Sequence, residues 1–121
     1  MAGNKMLLIS THAEDDPEKA TIPFVMANAA LAEDMDVTIV LQAEGVRIAV
    51  RDYARKINAP SFPPLQDLLL GFLDQGGVLM SCTPCMKARN IQEGDVVQGT
   101  RLVAAGTIVA EAASAGVALA Y

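Results

Sequence analysis

Two cysteines three residues apart, Cys82 and Cys85 in the run SCTPC, are the side chains of this 121-residue sequence best suited to chemistry. A thiol attacks as its thiolate, and a free cysteine is scarcely ionised near neutral pH, so reactivity requires a locally lowered pKa. The C-x-x-C spacing falls where an apolar run gives way to a helical turn, which would set Cys82 against unpaired backbone N–H groups that favour an anion. Lys87 and Arg89 add positive charge to the same segment. Cys85 is close enough in sequence to attack a sulfur held on Cys82, so the pair can release such a cargo or close a disulfide. The competing reading is that both cysteines pack as small apolar residues. Zinc would need four ligands, and two cysteines with a single histidine do not supply them, so no metal is expected, nor any other cofactor.

Two further residues are candidates for a supporting role. Histidine is the side chain suited to proton transfer near neutral pH, so His12 can carry a proton if its loop reaches Cys82; otherwise it is a polar loop residue. Glu44, just before Gly45 at a strand end, either positions a partner or solvates the sheet edge. Asp15 and Asp16 read as helix-start residues. Gly-rich phosphate loops and Ser-His-Asp patterns are not found.

The elements that must hold these residues follow from apolar patterning. Lys5–Ser10, Val37–Leu41, Val78–Ser81, Arg101–Ala104 and Val117–Ala120 read as five strands, apolar almost throughout. Asp16, Pro17 and Glu18 mark a helix start, and Ile22, Val25, Met26 and Ala29 share one helical face; Pro23 predicts a kink or restart. Val46, Ala49, Val50, Tyr53, Ala54 and Ile57 fit a second helix, leaving Arg47, Arg51, Asp52 and Arg55 for solvent. Three prolines within Asn58–Pro64 break it. Leu65, Leu68, Leu69, Phe72 and Leu73 make a third stripe, stopped by Gly76 and Gly77. Met86–Asn90 and Thr107–Ser114 complete the helical segments.

Strands alternating with helices predict a three-layer α/β/α sandwich around a mostly parallel five-stranded sheet. In such sheets reactive groups sit in loops at the carboxyl ends of the strands, and Thr11–Asp16, Gln42–Gly45 and Cys82–Cys85 all leave that edge.

The length fits one domain, residues 1–121. A net charge of −5 argues against nucleic acid, which would require clustered cations. The apolar share of 52% is high for a small chain and predicts contact with another subunit. No apolar run is long enough to span a bilayer, and Met6–Ile9 is too short for a secretory signal, so a soluble, cytoplasmic protein is expected. There, paired cysteines read as catalytic or metal-binding before they read as a structural staple.

The chain resembles the DsrE/DsrF-like family of sulfur transfer along nearly its whole length. The landmarks are "THAEDDPEKATIPF", "ANAALAEDMDVTIVLQAEGV", "APSFPPLQDLL", "GGVLMSCTPCMKARNI" and "GTRLVAAGTIVAEA". Cys82 matches the position of the cysteine that carries persulfide in active members. The resemblance implies a DsrE/F/H-like five-stranded fold, assembly as a trimer or hexamer, and a cysteine-persulfide relay with donor and acceptor proteins or small thiols as partners. Asn90 stands where the family often has glycine. Two other functions fit the residues: a thioredoxin-like dithiol/disulfide reductase, and a non-catalytic oligomeric binding protein.

Overall fold

In the computed structural model, which describes residues 4–121, five parallel strands form one sheet in the order β4-β3-β2-β1-β5. Residues 1–3, part of the amino-terminal stretch read above for a leader and of the single-domain expectation, lie outside the described residues. The strands are β1 (Lys5–Ser10), β2 (Asp36–Leu41), β3 (Val78–Cys82), β4 (Arg101–Val103) and β5 (Val117–Ala120), and the α-helices are α1 (Pro17–Ala32), α2 (Leu65–Asp74), α3 (Thr83–Ala88) and α4 (Ala105–Ser114). The expected sandwich with its five strands is therefore the observed fold.

Right-handed crossovers explain the layers. The chain steps from β1 to β4 in one direction along the sheet, then returns past β1 to place β5, so helices on the outward and return journeys belong on opposite faces. Strand alternation supplies the two apolar surfaces. Leu8, Ile39, Leu41 and Leu79 join Phe24 of α1, Phe72 of α2 and Met86 of α3 in the larger core, whereas Leu7, Val40, Met80 and Val103 meet Ile108 of α4. The two phenylalanines touch edge to face with ring centroids 6.0 Å apart, a favoured aromatic geometry. The second face carries a thinner cover than the first.

Local chemistry sets the helix ends. The Asp16 carboxylate caps α1 by accepting from the Lys19 amide at 3.1 Å. Pro23 does not restart α1, which runs without a break from Pro17 to Ala32; the carbonyl deprived of its donor belongs to Lys19, an exposed residue. Gly76, at φ 88°, ends α2 in the left-handed region as its sequence position predicts. Both α3 and α4 begin earlier than expected, at Thr83 and Ala105.

The second expected helix does not form. Residues 43–56 instead make two 3₁₀ segments, Ala43–Ala49 and Tyr53–Lys56, separated by extended Val50 and left-handed Asp52. Bonds to a distant segment displace the helical ladder: Val97 N–H donates to Ala49 O at 2.8 Å, Arg51 N–H to Asp95 O at 3.0 Å, and Val50 bridges Val96. The apolar residues are still used, since Val46, Ile48, Ala49, Ala54 and Ile57 are all buried.

Gly45 fixes this segment over the sheet. A Cβ there would overlap the Ser10 carbonyl, which accepts from the Gln42 amide, so only glycine permits the approach. We expect Gly45→Ala to lower unfolding free energy by about 2 kcal/mol, because backbone cannot yield as a flexible side chain would. Urea unfolding measures this, and a change below about 0.5 kcal/mol contradicts it.

Candidate functional site

The cysteine pair sits where β3 passes into α3 with no intervening residue, at the carboxyl edge of the sheet. Cys82 is both the last residue of β3 and the cap of α3, with Pro84 in the first helical turn, where its missing N–H costs no hydrogen bond. Helix geometry then brings residue 85 back over residue 82. The two sulfurs lie 3.1 Å apart, and both are free. That separation is contact without a bond, since a disulfide holds its sulfurs at about 2.05 Å.

The two thiols differ in exposure. Cys82 is 8% exposed and shares its cluster with Met86 and Val96, while Cys85 is half-buried at the edge of the same cluster. The expected lowering of the Cys82 pKa is not what the site produces. Burial pushes the thiol up, the Cys85 thiol adds to this, and the Cys85 backbone amide pulls the other way without prevailing. A six-residue helix offers few amides, and desolvation outweighs them.

A chain of charged contacts reaches the pair from the segment after β2. Glu44 accepts from Arg47 Nε at 2.6 Å and pairs with Arg89 Nε at 3.5 Å, an ion pair too long for a good hydrogen bond. Arg89 donates from a terminal nitrogen to the Cys85 carbonyl at 3.1 Å. Glu44 and Arg89 are thus joined to each other and to the cysteine turn. Lys87, two residues past Cys85, is exposed on a different side of α3, and forms no ion pair with the described residues.

His12 takes its partner locally. Its Nδ1 lies 2.7 Å from Asp15 Oδ2, while Asp15 Oδ1 accepts from the Ala13 amide at 2.7 Å. The Ala13 amide first, and His12 second, hold the Asp15 carboxyl below its usual range. β1 and β3 are separated by β2, which puts His12's strand two inter-strand spacings, roughly 10 Å, from that of the cysteines. Burial first, and then the Glu14 carboxylate of the same loop, push the Tyr53 phenol up.

The apolar pattern leaves Arg47 to solvent, whereas in the structure it holds Glu44; the i, i+3 spacing of the pair is the signal in the sequence. Two other features had no sequence signal. Ser10 and Ser81, both register partners of Leu41, bury hydroxyls that have no hydrogen-bond partner among the described residues. Among the described residues no three His, Cys, Asp or Glu side chains converge as metal ligands. No helix among them is long and apolar enough to cross a membrane.

Comparison with known proteins places these observations. The model of the DsrE/DsrF-like family matches residues 4–119. Uncharacterized protein MJ0989 of Methanocaldococcus jannaschii is 31% identical over 106 residues, covering 88% of this chain and 90% of that protein. Uncharacterized protein MJ0760 of the same organism is 28% identical over 106 residues, again 88% of this chain, which spans only 38% of the relative's length. Among solved structures, the ychN protein from E. coli superposes with a TM-score of 0.82, covering 97% of this chain and 98% of its own at 17% identity. Protein BT1422 from Bacteroides thetaiotaomicron gives 0.71, covering 99% of this chain and 97% of its own at 16% identity. At such identities the structural likeness shows the fold alone.

The raised Cys82 pKa has a pH signature. The folded protein holds this proton more tightly than the unfolded chain, so the resulting stability is complete below the unfolded thiol's pKa, about 8.5, and is lost as pH rises through the folded value. In Cys85→Ser, where burial remains, alkylation of Cys82 by iodoacetamide should keep accelerating beyond the pH at which a free cysteine levels off. A rate profile whose midpoint lies at or below about pH 8.5, the reference value of a free thiol, would show that burial does not control this thiol.

Proposed function

The chain belongs to the DsrE/DsrF-like family, and from that premise we propose that it carries sulfane sulfur on Cys82, with Cys85 as a second thiol. The observation that supports this most directly is the contact of the two sulfurs, 3.1 Å apart at the carboxyl edge of the sheet. Sulfur transfer requires a thiolate that attacks the outer sulfur of a donor persulfide. The donor's S–S bond breaks, its electron pair leaves with the donor thiolate, and the protein gains a Cys–S–SH group. An acceptor thiolate reverses the exchange, so the cycle consumes no oxidant or reductant. Cys85 provides another release: its thiolate attacks the inner sulfur of the Cys82 persulfide, expels hydrosulfide and leaves a Cys82–Cys85 disulfide. A cellular dithiol must then reduce that bond before the next cycle.

The partners in this reading are donor and acceptor proteins or small thiols, in a reducing compartment such as the cytoplasm, where both cysteines stay free. A second copy of the chain is a further partner. Val109 on α4 is 67% exposed, and Ala105, Ala110, Ala112 and Ala113 of the same helix are also exposed, so an apolar helix surface is available for a homo-oligomer such as a trimer or hexamer. The single-domain reading of residues 1–121 belongs with this proposal, as does the absence of a nucleic-acid partner.

A dithiol reductase is the second reading, because two thiols in contact are also what disulfide exchange requires. One pair of assays separates the two. After incubation of the pre-reduced protein with a persulfide donor, intact-protein mass spectrometry without further reductant should show the gain of one sulfur atom, absent when Cys82→Ala and Cys85→Ala are combined. Reduction of insulin disulfides should remain at background. Efficient insulin reduction without sulfur uptake selects the reductase, and inertness in both assays leaves a binding protein whose cysteines only pack.

A further inference from the structure

The burial of Cys82 limits how a donor reaches it. Transfer of sulfur between two sulfur atoms depends on access as well as on thiolate character. At 8% exposed, within the larger core cluster, Cys82 presents little surface to a partner, while Cys85 lies half-buried at the edge of that cluster and in contact with the Cys82 sulfur. Its carbonyl is held by Arg89, which Glu44 pairs, so the turn bearing Cys85 is anchored at its main chain while the side chain remains at the boundary with solvent.

We propose that Cys85 is the receiving thiol, which takes sulfur from the donor and passes it inward to Cys82, where it is stored out of reach of bulk thiols. This rests on the sulfur-carrying function proposed above and assigns the order of steps within it. In the first step the Cys85 thiolate attacks the outer sulfur of the donor persulfide and the donor leaves as its thiolate. In the second, Cys82 attacks the outer sulfur of Cys85–S–SH. The bond from that sulfur to Cys85 breaks as the bond to Cys82 forms, and the Cys82 proton passes to the departing Cys85 sulfur. Both steps are redox-neutral. A sulfur atom inserted between the two cysteines adds a bond of about 2 Å to their separation. Rotation of Cys85 about its Cα–Cβ bond supplies that room, whereas enclosed Cys82 stays in place. Delivery to an acceptor follows the same route outward.

Glutathione persulfide serves as the probe, with the position of the added sulfur followed by rapid alkylation and peptide mass spectrometry on the full chain. In the wild type the sulfur should appear on Cys85 and then move to Cys82. Cys85→Ser keeps the side-chain volume, and there Cys82 should load about tenfold more slowly or worse, because attack requires access. In Cys82→Ser, Cys85 should load at the wild-type rate but lose its sulfur to added glutathione about tenfold faster than the wild type does, for the same reason. Wild-type loading of Cys82 in Cys85→Ser, or sulfur retained as long on Cys85 alone as in the wild type, overturns the order while leaving sulfur carriage intact. Failure of both cysteines to take up sulfur in the wild type overturns the proposed function and the order together.

Discussion

The site depends on a junction of zero length. Strand β3 ends at Cys82 and helix α3 begins at Thr83, so the chain changes from a period of two to a period of 3.6 within one residue. That change brings two side chains three positions apart into contact; had the strand continued, alternation would have sent residues 82 and 85 to opposite faces of the sheet. Pro84 belongs to the same arrangement, since its fixed φ suits a first helical turn and would disrupt a strand. The 3.1 Å contact is therefore a product of backbone geometry, set before any side chain is chosen to react.

How much of this was legible in the sequence varies with the range of the interactions involved. The strands were readable because a parallel strand needs little besides apolar β-formers, most plainly in the central strands buried on both faces, as Leu7, Leu8 and Ile39–Leu41 show. The cap at Asp16 and the stop at Gly76 are likewise set by neighbours a few residues away. Residues 43–56 were misread for the opposite reason. Their apolar spacing fits a helix, yet their hydrogen-bond partners, Asp95 and Val97, come from a segment some 45 residues later. In the site, the pairing of Cys82 with Cys85 was visible as spacing. The depth of Cys82 was not, because it depends on the packing of the larger core, which is assembled from segments far apart in the chain.

Depth changes the chemistry expected of the first cysteine. A helix start stabilises a thiolate through its free amides, and that was the reason to expect a reactive Cys82. Here the amide of Cys85 does act in that sense, but the enclosure of the sulfur acts more strongly in the other. A group in a poorly solvated position keeps its proton and is also hard to approach. Both consequences suit a store better than a receiver, and the half-buried neighbour has the complementary property of access.

The remaining electrostatics link this pair to the rest of the carboxyl edge. Glu44 lies between two arginines, Arg47 at 2.6 Å and Arg89 at 3.5 Å, and Arg89 in turn holds the Cys85 carbonyl. Glu44 occupies that position because Gly45, the next residue, rests on the Ser10 carbonyl, a contact no other side chain would allow. Backbone stacking on β1 is thus transmitted through one carboxylate and one guanidinium to a turn at the end of β3, two strands away. Partly exposed ion pairs contribute little to stability, so the importance of Glu44 and Arg89 lies in orientation: they hold the main chain of the turn that bears Cys85, and its sulfur takes no part in either contact.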